Sequence, residues 1–194
     1  MIRGLGDVLF RLRSWTAIPL LVAFLVLARP NAAHVLAALP ILALGEGLRF
    51  AGLRYLDASA RGTRLRAEAL STGGPYRFLR HPLYAGNILL VAGMLVAGGI
   101  ESLPFVAIAA CCVALQYGTI IASEEAFLAA RFPEEFDRYR ASVPRLLPCR
   151  APYRAPTPPR RTLGEVLRAE YRTLHSIALL MAFVVFKAIL LARS

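Results

Sequence analysis

The chain has 194 residues, 57% of them hydrophobic, and a formal net charge of +11 carried by 22 arginines and one lysine. A mean hydropathy of +0.55 is well above that of an ordinary soluble domain and argues for a membrane protein. The arginines flank apolar runs instead of forming one basic face, which is the positive-inside pattern and speaks against a nucleic-acid partner.

Five apolar runs, each near the roughly 20 residues that cross a bilayer, predict an all-α, polytopic helical membrane protein. The first, residues 15–28, lies between Arg13 and Arg29. A signal peptide is its rival reading, but no small-x-small cleavage site follows, so it is taken as an uncleaved helix. The second, residues 32–50, contains His34 and Glu46. The third and fourth, 82–100 and 103–123, are separated by a short turn flanked by Gly98, Gly99 and Pro104. The fifth, 174–192, contains Lys187, which is expected to snorkel. Cys111 and Cys112 read as small apolar residues of the fourth run. With no metal-ligand spacing in the chain, no metal is expected.

From Arg49 to His81 lie seven arginines and two acids, and between the fourth and fifth runs ten arginines and seven acids. These basic connections are expected to face the cytoplasm, and the tight turns the other side. The chain then divides into N-terminal spans (1–53), a core with a helical hairpin (54–148) and a C-terminal part (149–194). Residues 144–159 contain six prolines and read as a stiff linker. Thr162-Leu163-Gly164-Glu165 matches a capping box that starts a helix leading into the fifth run. Phe127, Leu128, Phe132, Phe136 and Tyr139, at near-helical spacing, suggest a face lying on the membrane.

Most of the chemistry is concentrated in residues 74–86, Gly-Pro-Tyr-Arg-Phe-Leu-Arg-His-Pro-Leu-Tyr-Ala-Gly. Pro82 suits the first turn of the third helix, where its missing N–H costs nothing. His81 then stands at the N-terminus, where unpaired N–H groups and the helix dipole favour an anion, with Arg77 and Arg80 beside it. An antiparallel hairpin of the third and fourth runs returns Glu124 and Glu125 to the level of His81 and Tyr84. Cationic and hydrogen-bonding groups on one wall and two carboxylates on the other suit a ligand bearing both charges.

The run Gly74-Pro75-Tyr76 through Arg80-His81-Pro82-Leu83-Tyr84-Ala85-Gly86, then Glu124-Glu125, then Phe132, Phe136 and Tyr139, then Val143-Pro144-Arg145-Leu146-Leu147-Pro148 resembles the integral membrane methyltransferases related to isoprenylcysteine carboxyl methyltransferase and phospholipid N-methyltransferase. The resemblance covers residues 70–148. It implies S-adenosylmethionine (SAM) as cofactor, whose carboxylate, ammonium and sulfonium match the charges just placed. It implies cofactor contacts from Glu68, Leu70, Ser71, Tyr76, Arg80, His81, Pro82, Leu83, Tyr84, Glu124 and Glu125. The carboxyl methyltransferases carry an arginine one helical turn before the glutamate, and Ile120 stands at that position here.

The function expected is therefore SAM-dependent methyl transfer to a membrane-embedded lipid or isoprenoid-type acceptor with a carboxylate or amine head group. An amine acceptor needs a base, for which Glu125, Tyr84 and His81 are the candidates. The expected location is a prokaryotic inner membrane with the cofactor pocket at its cytoplasmic face. Membrane sterol and steroid reductases, which use NADPH, share an Arg-His-Pro-x-Tyr-x-Gly element and form one alternative; a non-catalytic membrane scaffold forms the other.

Overall fold

The computed structural model describes residues 18–56, 69–154 and 160–193. Among these it is all-helical: Ile18–Leu27 (α1), Ala32–Tyr55 (α2), Pro82–Ala97 (α3), Leu103–Arg131 (α4), Pro133–Ser142 (α5) and Leu163–Leu191 (α6), with a 3-10 turn at Gly74–Arg77. Three helices, α2, α4 and α6, are long and apolar enough to cross a membrane. The other two expected spans are apolar but shorter: α3 has 16 residues, and α1 is described only from Ile18.

Two helices outrun their apolar segments. The α4 helix continues unbroken to Arg131, so Glu124 and Glu125 lie inside it rather than following it. Pro133 cannot extend the ladder and instead opens α5. The α6 helix begins with the expected capping box: Thr162 N–H donates to Glu165 Oε2 at 2.8 Å and Glu165 N–H to Thr162 Oγ1 at 3.3 Å. It then runs for 29 residues.

The chain forms two compact units. The first comprises Met1–Ala43, Ile88–Ile120 and Thr173–Ser194. Its core is Phe24, Ala38, Leu42, Leu90, Met94, Ala97, Phe105 and Val184. At Gly93 a side chain would meet Leu42 Cδ2 at 2.7 Å, so helices approach closely there. Gly99 adopts φ +57°, a conformation L side chains rarely take, and the neighbouring Gly98 carbonyl accepts a 2.7 Å bond from Arg29 N–H. Lys187 does not simply snorkel. Its ammonium donates to the Leu25 carbonyl at 2.8 Å and the Val26 carbonyl at 3.3 Å, satisfying groups that the end of α1 leaves free.

The second unit comprises Leu44–Asn87 and Ile121–Arg172. Its apolar core is Leu70, Phe136, Tyr139 and Val143, with Leu128, Phe132 and Tyr153 packed against it. Phe136 and Tyr139 are 1% and 2% exposed. The aromatic spacing read as a membrane-lying face thus builds this core instead, since α5 has residues 69–71 and 143–153 to pack on. At Gly86 a Cβ would lie 2.7 Å from the Gly45 carbonyl oxygen and 2.5 Å from Arg49 Cγ, so only glycine permits this crossing of α2 and α3.

Residues 144–153 are not a free linker. Arg80 N–H donates to the Pro144 carbonyl at 2.8 Å, His81 N–H to Arg145 at 3.0 Å, Cys149 N–H to Phe78 at 2.9 Å and Tyr153 N–H to Arg77 at 2.9 Å. The segment therefore acts as a strap whose backbone pairs with residues 77–81. Prolines suit it, because an irregular strap needs few of its own N–H donors.

Candidate functional site

His81 directly precedes α3 and is 5% exposed. Its Nε2 lies 3.1 Å from Glu125 Oε1 and its Nδ1 lies 3.8 Å from Glu124 Oε2. The apposition expected from an antiparallel hairpin is thus present in the second unit. Tyr84, one turn into α3, stacks obliquely on the imidazole with ring centroids 5.7 Å apart. Pro82 and Leu83 face Gly52 of α2.

The two adjacent glutamates play different parts. Glu125 is buried and fully engaged. Arg145 Nε donates to both of its oxygens and Arg145 Nη2 to Oε2 at 2.7 Å. Arg80 Nη2 lies 3.2 Å from Oε1, which also faces His81. Such a carboxylate is an anchor, charge-balanced by Arg80 and the strap's Arg145. Glu124 has a partly exposed side chain, and its Oε2 is buried without a hydrogen bond. The buried Nε of Arg80, the residue before His81, likewise has no hydrogen-bond partner. A bare acceptor thus faces the imidazole, and a bare donor belongs to the residue next to it in the chain.

Burial pushes the His81 imidazole below its usual 6.5, outweighing Glu124 and Glu125, which act in the opposite direction. His81 is therefore neutral at physiological pH. Burial also lowers Arg80, against the raising effect of Glu125. The hydrogen bond to Glu125 raises Arg145. Tyr76 is buried, and its phenol is pushed far above its usual range by that burial. Its carbonyl accepts a 2.6 Å bond from Tyr139 Oη.

The remaining expected residues divide. Leu70 is a core residue, packed with Phe136 and Tyr139, and Ser71 is half-buried next to it. Glu68 lies outside the described residues. The sequence reading missed Arg145 as a partner of Glu125. It stood in the quoted motif, but nothing in the spacing signals that 20 residues of chain fold back onto the carboxylate. Among the described residues no three His, Cys, Asp or Glu side chains gather as a metal site.

Comparison with known proteins adds a family and two relatives. A family model described as phospholipid methyltransferase matches residues 32–135, from α2 to the start of α5. The cobalt-zinc-cadmium resistance protein CzcN of Cupriavidus metallidurans is 41% identical over 87 residues, 45% of this chain and 39% of that protein. The nickel-cobalt-cadmium resistance protein NccN of Alcaligenes xylosoxydans xylosoxydans is 39% identical over 83 residues, 43% of this chain and 38% of that protein. The matches thus span about two fifths of these curated relatives. No solved structure matches the chain significantly.

Proposed function

The chain belongs to the phospholipid methyltransferase family, and from that premise we propose that this integral membrane protein is a SAM-dependent methyltransferase acting on a membrane-embedded lipid or isoprenoid-type acceptor. The observation that carries the cofactor assignment is the pair of bare groups beside His81: Glu124 Oε2 and Arg80 Nε, both buried and neither hydrogen-bonded. An unpaired buried polar group costs about 1–3 kcal/mol. A zwitterionic amino-acid moiety satisfies both at once, its ammonium on Glu124 and its carboxylate on Arg80.

When bound, SAM supplies a methyl group already activated on a sulfonium. The protein's work is then alignment and exclusion of water. Glu125 holds Arg80 and His81 in place, while the strap fixes the backbone of residues 77–81. Neutral His81 keeps one ring nitrogen as a donor to Glu125 and leaves the other facing Glu124. Ile120, where the carboxyl methyltransferases carry arginine, favours an acceptor other than a carboxylate. The arginine distribution orients the site toward the cytoplasm.

Calorimetric titration of purified protein in detergent tests this reading. SAM and its demethylated product bind, NADPH does not, and Glu124→Gln weakens SAM binding tenfold or more. With methyl-labelled SAM and native lipid extract, label enters the organic phase and depends on Glu124. NADPH binding without SAM binding, or label confined to water-soluble products, overturns it.

A further inference from the structure

A second polar cluster lies in the same unit, away from the His81 network, and the methyl-transfer reading does not use it. Arg49 of α2 directs Nε at Glu170 Oε1 of α6 at 2.6 Å, its Nη2 also pairs with Glu170, and its Nη1 donates to Asn87 Oδ1 of α3. Glu170 is 1% exposed. The guanidinium is thereby hydrogen-bonded to Glu170 and Asn87. Glu46, one turn before Arg49, comes no closer than 3.7 Å to its Nε. Both Glu46 oxygens are buried and neither accepts a hydrogen bond.

Charge decides what is missing. With both carboxylates ionised, one guanidinium faces two of them and these side chains together carry a net negative charge among apolar helices, where such a charge is costly and points to function. A hydroxyl would give Glu46 a hydrogen bond and leave that charge uncompensated. An anion would worsen it. A protonated amine supplies both the donors and the charge. Asn87 stands six residues beyond His81, about 9 Å further along α3 at 1.5 Å per residue, so the cluster is set deeper than the proposed cofactor groups. Gly86 lets Arg49 lie flat against α3 at this level, since any side chain there would displace it.

We propose that Glu46 is the seat of a cationic amine head group on an apolar ligand, with Arg49, Asn87 and Glu170 as the scaffold that leaves both of its oxygens without a hydrogen-bond donor. Identifying that ligand with the methyl acceptor rests on the methyl-transfer reading; the seat itself rests on the cluster.

The probes are decylamine, decanol and decanoate, compared at equal concentration and pH 7 in a neutral detergent, with the thermal midpoint of the purified protein as the readout. Decylamine raises the midpoint by several degrees more than decanol, and decanoate by less than either. Glu46→Gln removes the preference for amine, while Glu46→Asp retains it. Glu170→Gln also removes it, because the released Arg49 then neutralises Glu46. Both glutamine variants keep wild-type SAM affinity, which shows that they are folded. Equal shifts with amine and alcohol in the wild type, or an amine preference that survives Glu46→Gln, overturn the seat. A protein that prefers the amine but binds no SAM upholds the seat and overturns methyl transfer.

Discussion

Around Phe24, Leu42, Met94 and Val184 the buried side chains are hydrocarbon or thioether. In the second unit they include Thr72, His81, Glu125 and Glu170, all the buried polar residues found among the described positions. The two units are cut from largely the same helices, so helix composition alone does not explain the contrast. The first unit is held by close packing and a glycine turn. In the second, charged groups are taken from water and must find one another. Its polar network is costly to assemble, and bare groups are left where ligands can complete it.

Removing the anchor gives the largest expected effect. Glu125→Ala leaves Arg80 and His81 buried without their shared carboxylate and costs about 3–5 kcal/mol, read as a lowered thermal midpoint in detergent. A loss under about 1 kcal/mol would show that the network is solvated and that the contrast between the units is overstated. The paired variants Gly86→Ala and Gly93→Ala come next. At Gly86 the new methyl meets the Gly45 carbonyl oxygen, which cannot rotate away; at Gly93 it meets the end of the Leu42 side chain, which can. The first costs about 2 kcal/mol and the second under about 1. A reversed order would place the tighter helix crossing in the apolar unit. Tyr139→Phe removes the hydroxyl bonded to the Tyr76 carbonyl and costs about 1 kcal/mol.

The smallest effect is a titration confined to the second unit. Burial holds His81 below 6.5, so as pH falls through 6.5 the unfolded chain takes up this proton before the folded one does. The unfolded state then binds more protons, and stability declines as pH drops below 6.5 toward the folded value. Thermal midpoints between pH 7.5 and 5.5 show this slope in the wild type, and His81→Gln flattens it. An unchanged slope in the variant would assign it to other groups.

The approach of His81 to the Glu124-Glu125 pair was legible, because it needs only two apolar runs of similar length joined by a short turn. The division of labour between the two glutamates was not. Neighbours on a helix point about 100° apart, and which of them meets Arg145 depends on a strap with no periodicity to read. The strap itself was hidden for the same reason: its hold on residues 77–81 is made by backbone groups, which every sequence possesses. Phe136 and Tyr139 misled because an apolar stripe looks the same whether it faces lipid or a protein core. The Arg49–Glu170 pair joins residues 121 positions apart, beyond anything that local spacing reports.

Lys187 sets a condition on biogenesis. The carbonyls at the end of α1 receive their donor from a side chain 162 residues later in the chain. While synthesis is still short of that lysine, the α1 terminus must be supplied by water or by the insertion machinery. The hydrogen bonds that Lys187 gives to the end of α1 are therefore made only after α6 has emerged. A ribosome stalled before residue 187 should leave the segment near Leu25 open to chemical labelling that the finished protein resists.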